Sequence, residues 1–431
     1  MITAPATGSV LEKWEDRLQH VVETMRELSR QSDPQAMVRT YTDRIRRLMP
    51  VDGSVSLSRR DLPAPKYRIT RSTTWKESVN PWKHADRLPV LEGGLLGELL
   101  YADQPQIIDD LHVSPDDPAS RYFEGHRSLM ALPLYDRGVA LNMVVLFRRQ
   151  PRGFDRNQYP EYVWMSNLFG RATHTLVLSE QLQTAYQAVD EELRIVENMQ
   201  RSLLPAMLPK IPTLDLAVHY QTSRRAGGDY YDFFELPEGK WGILIADVSG
   251  HGTPAAVVMA ITHAIAHTLP GLPTPPARLL THLNHHLARQ YTADSGAFVT
   301  AFYGVYDPAR RSLTYARAGH CPPRVKRCRD GTLSILDGVG SLPLGIVADA
   351  AYEEVTQQFV PGDQIIFYTD GITEAFNPEG RMFGVERLDE VLELCHLDAN
   401  GLIQTVISAV DQFGGGQPAS DDRTILVAKV G

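Results

Sequence analysis

Apolar residues at Leu11, Trp14, Leu18, Val21, Met25 and Leu28 recur at alternating steps of three and four, the spacing of a helix with a coiled-coil seam. Ser32-Asp33-Pro34 reads as a cap with proline in the first turn, starting a second helix toward Leu48. Short apolar runs separated by turn residues follow at Ser54–Leu57, Tyr67–Thr70, Gln106–Asp109, Leu129–Leu134 and Ala140–Phe147. Helices on either side of short strands predict an α+β domain. After Phe169 a second long helix is expected to Leu204. Its seam is Leu178, Leu182, Ala185, Val189, Glu192, Val196, Met199 and Leu203, apolar at all positions but Glu192, and Pro205 ends it. Packing on its own domain is one way to bury that stripe. A parallel coiled-coil homodimer that carries a signal between two domains is the expectation favoured here.

From Asp215 the pattern changes to strands with acidic corners. Gly227-Gly228-Asp229 precedes an aromatic strand, and a turn at Pro237 to Gly239 leads to the strand Trp241–Ala246, which ends at Asp247. Two strands joined by so short a turn pair antiparallel, which sets Asp229 and Asp247 at one edge of the hairpin. Ser249-Gly250-His251-Gly252 is a tight turn, and Thr253-Pro254 opens a helix. Asp370 ends the strand Gln364–Thr369, and Asp421-Asp422 stands before the final strand Thr424–Val430. A single Asp at a strand end is ordinarily a turn former. Several together, with no histidine or cysteine in the same motifs, suit hard cations such as Mg²⁺ or Mn²⁺ rather than Zn²⁺. Two such ions can activate a shared water and clamp a phosphoryl oxygen.

Composition narrows the class. Of 431 residues, 43% are hydrophobic and 22% charged, as in a globular protein. A formal net charge of −9 argues against a chain built to neutralise nucleic-acid phosphates. Three cysteines cannot form a disulfide framework and point to a reducing cytosol. The start, Met1 to Val10, has no signal-peptide pattern, and the longest near-apolar stretch, Ala255 to Ala266, is too short to span a bilayer. A cytoplasmic protein without nucleic-acid or membrane partners is therefore expected.

The phrase Ser128 to Phe147, SLMALPLYDRGVALNMVVLF, resembles the closing hairpin of GAF domains, with PAS domains as the rival. The resemblance implies a sensor taking a small-molecule or protein signal. Trp75, Trp82 and Tyr101 are candidate pocket residues, read rather as packing.

Residues from about Met199 to Val430 resemble the PPM-type, metal-dependent serine/threonine phosphatases, in the bacterial branch of the sporulation stage II and sigma-regulator phosphatases. The phrases that carry it are, in order, LLP (Leu203–Pro205), GGDYYD (Gly227–Asp232), DVSGHG (Asp247–Gly252), FVTAFYGVYD (Phe298–Asp307), AGHCPP (Ala318–Pro323), PLG (Pro343–Gly345), YTDGITEA (Tyr368–Ala375), FGVERL (Phe383–Leu388) and SDDRT (Ser420–Thr424). The chain is thus expected to be multidomain α+β: an N-terminal helix (1–30), a GAF-like sensor (31–175), a coiled-coil linker (176–205) and a PPM phosphatase domain (206–431) with two antiparallel sheets flanked by helices. The resemblance implies a dinuclear Mn²⁺ or Mg²⁺ centre. In it Asp247 bridges both ions, the Val248 carbonyl completes one, and Asp370 and Asp421 hold the second. Asp229 reaches the first directly or through water, and Asp422 is a further candidate. Metal-activated water attacks phosphorus, and no phospho-enzyme forms. The implied substrate is phosphoserine or phosphothreonine on an anti-anti-sigma protein of the STAS type. A non-catalytic scaffold and a low-specificity phosphatase for small phosphoesters are the alternatives.

Arg224 and Arg225 replace the apolar residue that the family often has beside the first glycine, and are placed to steady a phosphate or to lie in solvent. His320 and the Cys321…Cys328 pair read as a structural turn rather than a zinc site. His263, His267, His282, His285 and His286 fall at helical spacings and read as helix-face residues rather than metal or proton sites.

Overall fold

The computed structural model describes residues 8–48, 51–77, 79–271, 274–293, 296–327, 329–393 and 398–431. The chain forms two compact units, Met1–Gln187 and Ala188–Gly431, and the division falls inside one long helix.

The first unit begins with helices α1 (Gly8–Ser29) and α2 (Pro34–Leu48). Asp33 caps α2 as expected, its Oδ1 accepting from the Gln35 amide at 2.7 Å. Strands β1 (Gly53–Ser58), β2 (Lys66–Ser72) and β3 (Val90–Glu92), helix α3 (Gly94–Ala102), and strands β4 (Gln106–Ile108), β5 (Ser128–Asp136) and β6 (Val139–Arg148) follow. They form a six-stranded sheet of order β3-β2-β1-β6-β5-β4, antiparallel throughout. Strand alternation divides the side chains between two cores. Leu129 and Ala131 join Leu96 and Leu100 of α3 on one face. Met130 and Leu132 join Leu28, Met37 and Tyr41 of the first helices on the other. The β5–β6 hairpin turns at Arg137-Gly138, both at positive φ (52° and 84°), which matches the twist of the strands. Trp75 packs on the first core, Trp82 lies under Arg71, and the Tyr101 hydroxyl donates to the Lys66 carbonyl, so all three serve packing.

Helix α4 (Tyr159–Arg201) starts earlier than the sequence pattern indicated. Pro160 is tolerated in its first turn, and Gly170 lies against Leu134, where a Cβ would make only ordinary van der Waals contact. Its first turns close the second core through Tyr162, Met165 and Phe169, with Phe169 stacked on Tyr41 at 4.0 Å. Further along, Leu178, Leu182, Val189 and Met199 of the expected seam are exposed in the single chain. Of the α1 seam, Leu28 is buried and Leu18 and Met25 are exposed, while the Leu11 and Trp14 side chains lie outside the described part.

The second unit is a four-layer sandwich. Strands β7 (Leu214–Gln221), β8 (Tyr230–Glu235) and β9 (Trp241–Val248) lead to helices α5 (Thr253–His267) and α6 (Pro276–His286). Next come β10 (Val299–Asp307), β11 (Ser312–Ala318), β12 (Arg324–Arg327), β13 (Thr332–Ile335), β14 (Val355–Gln358) and β15 (Gln364–Tyr368). The chain closes with α7 (Asp370–Thr373), α8 (Gly384–Val391), α9 (Ala399–Gly414) and β16 (Arg423–Val430). One sheet has the order β14-β11-β10-β9-β8 and the other β13-β12-β15-β16-β7, each antiparallel. Ile243, Ile245, Phe302, Ile365, Phe367 and Leu426 fill the space between the sheets. Their neighbours along the strands face outward: Leu244 and Ala246 to α5 and α6, Ile366, Tyr368 and Val427 to α8 and α9. Among the described residues no helix is long and apolar enough to cross a membrane.

Candidate active site

Register brings the first two carboxylates together. Tyr230 pairs with Ala246 on β8 and β9, and the next pair along the ladder is Asp229 opposite Asp247. The Val248 amide donates to the Gly228 carbonyl at 3.3 Å, which carries the ladder past them. In the facing sheet the Thr369 amide donates to the Thr424 carbonyl at 3.0 Å, just beyond the Tyr368–Ile425 pair, so Asp370 and Asp421 leave that sheet at a common edge.

Asp229 joins the two sheets. Its Oδ2 accepts from the hydroxyls of Thr369 at 2.8 Å and Thr424 at 2.6 Å, while its Oδ1 is buried with no donor. Neither threonine was singled out from the sequence, although both stand inside the YTD and DDRT phrases. Burial is the main cause that pushes the Asp229 carboxyl up to about 8, and the charges of Asp422 and Asp370 add to it. Asp247 is raised well above the usual carboxylate range, first by burial and then by Asp229, Asp370 and Asp421. Burial and the Asp421 charge lift Asp370 to about 6, and Asp421 is raised too, chiefly by burial. Four acidic groups that suppress one another's ionisation, one with an orphaned buried oxygen, fit divalent cations. A cation would satisfy that oxygen and let all four carry charge.

Asp422 is engaged differently. Its Oδ1 accepts from the Ser223 amide at 2.7 Å and from the Ser223 hydroxyl at 3.2 Å, and its Oδ2 from the Gly228 amide at 2.6 Å. Both oxygens thereby hold the loop before Asp229. The glycines follow from this crowding. A Cβ at Gly227 would run into the Asp422 carboxylate, one at Gly228 would sit 2.7 Å from the Val248 carbonyl, and one at Gly371 would meet the Asp422 backbone.

The same loop is held by the end of α4. The Gln200 side chain donates to the Gly227 carbonyl at 2.6 Å and accepts from the Gly227 amide at 3.0 Å. No sequence signal marked Gln200, whose partners are the Gly227 backbone and, at 3.4 Å, the Tyr220 hydroxyl. Arg225 forms ion pairs with Asp190 at 2.9 Å and Glu197 at 3.6 Å on α4, so it is not turned to a phosphate; Arg224 is exposed beside Gly252. His320 Nδ1 lies 2.9 Å from the Thr300 hydroxyl, and burial pushes its pKa down to about 3, in keeping with a structural turn. Cys321 is half-buried with its thiol raised to about 12 by burial, and Cys328 lies outside the described residues.

A family model described as stage II sporulation protein E (SpoIIE) matches residues 237–431. Phosphoserine phosphatase RsbU of Bacillus subtilis is 33% identical over 248 residues, covering 58% of this chain and 72% of its own length. The chain belongs to the SpoIIE family of PP2C-type serine phosphatases. A second family relative, phosphoserine phosphatase RsbP of Bacillus subtilis, is 26% identical over 185 residues, 42% of this chain and 45% of that protein. The SiaA-PP2C domain of Pseudomonas aeruginosa shares the fold, with a TM-score of 0.50 and 23% identity, over 57% of this chain and 99% of that domain. The family match begins at Pro237, after the GGDYYD phrase that supplies Asp229.

The raised carboxyls fix a pH dependence. A carboxyl whose pKa is higher in the folded than in the unfolded chain contributes fully to stability below about pH 4, where both states hold the proton. That contribution fades as the pH rises through about 6 for Asp370 and about 8 for Asp229. The metal-free protein should therefore melt at progressively lower temperature between pH 5 and pH 8, with a slope of up to about 1.4 kcal/mol per pH unit for each proton. Saturating Mg²⁺ should flatten that slope. Calorimetry in chelator and in Mg²⁺ across the range reads both, and parallel curves would contradict the assignment.

Proposed function

We propose that this chain is a sensor-regulated, divalent-metal-dependent phosphatase of phosphoserine or phosphothreonine, acting on an anti-anti-sigma protein of the STAS type. The observation that carries this reading is the convergence of Asp229, Asp247, Asp370 and Asp421 at one edge of the sandwich, where burial and neighbouring carboxylates raise the pKa of each. In it Asp247, Asp229 and the Val248 carbonyl would hold one Mn²⁺ or Mg²⁺ ion, and Asp370 and Asp421, with Asp247 shared, would hold a second. Asp422 orients the Gly227-Gly228-Asp229 loop in this reading and is not itself a ligand. Bound there, the ions supply a Lewis acid for the phosphoryl oxygens and a water nucleophile at neutral pH. The chain's own part is to hold the carboxylates at fixed separation and to present Arg224 toward the phosphate. Cys321 stands near the carboxylates of Asp370 and Asp247, whose charges add to the effect of burial on its thiol; so protonated a thiol suits hydrolysis without a covalent intermediate.

The N-terminal unit is read as a GAF-like sensor and the exposed stripe of α4 as a parallel coiled-coil dimer contact. Support comes from the hairpin that forms as its resemblance implies and from the exposure of Leu178, Leu182, Val189 and Met199. Gln200 and the Arg225–Asp190 pair tie the end of the same helix to the loop that carries Asp229.

Phosphate release from a phosphorylated STAS-type protein should require Mn²⁺ or Mg²⁺. Asp370→Asn should reduce it by more than the roughly 10–100-fold that loss of an outer-shell partner costs. Full turnover by the variant would refute the metal assignment. Tight binding of phosphoproteins by wild type without turnover, in any metal, would favour the scaffold instead. For the dimer, light scattering of Leu182→Glu/Val189→Glu should give the mass of one chain where wild type gives two. Equal masses would remove the coiled coil.

A further inference from the structure

Two of the helix-face histidines do not lie free on α5. His263 and His267 are one turn apart on the same face, with ring centroids 4.3 Å apart, and both meet Asp232 of β8. Asp232 Oδ2 lies 2.7 Å from His267 Nε2 and 3.8 Å from His263 Nδ1, and the three candidate ligand atoms all fall within 4.8 Å of one another. The carboxylate is already oriented: its Oδ1 accepts from the Phe233 amide at 2.7 Å, and the Tyr230 hydroxyl donates to Oδ2 at 2.5 Å. The Asp232 side chain is only 9% exposed, and among the described residues its ion-pair partners are those two histidines, with no lysine or arginine. A buried carboxylate without a permanent cation is an unusual thing to keep.

We infer that Asp232, His263 and His267 form a site for a borderline divalent cation such as Zn²⁺, separate from the aspartate centre. Two imidazoles and one carboxylate are a zinc-type donor set, whereas the all-oxygen corner around Asp247 suits Mg²⁺ or Mn²⁺. Strand alternation keeps the two apart. Asp229 faces the other sheet, where it meets Thr369 and Thr424, while Asp232, three residues on, faces the helix layer. A cleft of about 230 Å³, bounded by Leu203, Leu204, Met207 and Trp241, opens onto the cluster and leaves room for a fourth ligand. The ion fastens β8 to the last turn of α5, beside the point where the long helix ends.

The test uses the full chain in excess Mg²⁺, so that the aspartate centre is filled. Zn²⁺ is titrated by calorimetry, and Co²⁺ serves as its spectroscopic substitute. One Zn²⁺ per chain should bind, with the intense visible absorption of low-coordinate Co²⁺. His263→Ala/His267→Ala should weaken binding by more than roughly 100-fold. His282→Ala/His286→Ala removes another i, i+4 pair, on α6, and should bind as wild type. If the double variant at 263 and 267 does not fold, the half-exposed His267→Gln alone should weaken binding at least about tenfold. No Zn²⁺ binding by wild type in Mg²⁺, unchanged affinity in the His263 and His267 variants, or loss only in the α6 variant would each overturn the site.

Discussion

Four carboxylates gathered in a largely dry corner repel one another and lose hydration, so the polypeptide must hold them together against that tendency. Much of the second unit serves this end. Antiparallel register sets Asp229 opposite Asp247 in one sheet and delivers Asp370 and Asp421 at the matching edge of the other. The core between the sheets, with Phe302, Phe367 and Leu426 fully buried, fixes the separation of those edges. Thr369 and Thr424 then stitch the edges through a single oxygen of Asp229, and leave its other oxygen without a donor. A divalent cation bound there would release the acidity that this arrangement holds back, which is why the proposed ion and the site belong to one account.

Contacts confined to one hairpin or one helix were legible in the sequence. The spacing of Asp229 and Asp247 about a short turn was enough to set them side by side. What escaped was contact between elements distant in the chain. The Thr369 and Thr424 hydroxyls reach an aspartate 140 and 195 residues away, and Gln200 holds the backbone of Gly227 and the Tyr220 hydroxyl, 27 and 20 residues away. Asp232 joins His263 and His267 because a strand and a helix happen to be stacked, which helical spacing alone does not reveal. For Asp422, a metal-ligand candidate from its place beside Asp421, the sequence did not reveal that the amides of Ser223 and Gly228 donate to its two oxygens. Helix α4 begins at Tyr159, ahead of the expected start after Phe169, with Pro160 accommodated in its first turn.

The end of helix α4 bears on the site. It holds Gly227 through two hydrogen bonds, and its carboxylates at Asp190 and Glu197 hold Arg225 two residues earlier. Leu203 and Leu204, just beyond it, pack against the core under α5. A displacement of this helix would therefore reach the loop before Asp229 and the helix after Asp247 together, the two segments that flank the first pair of carboxylates.

The central claim is that the two threonines, by holding Asp229, set the geometry of the metal centre. Mn²⁺ affinity of Thr369→Val/Thr424→Val, read by calorimetry on protein shown to be folded by circular dichroism, tests it most directly. The account predicts a loss of about 10–100-fold relative to wild type. Affinity within twofold of wild type in a folded variant would contradict it.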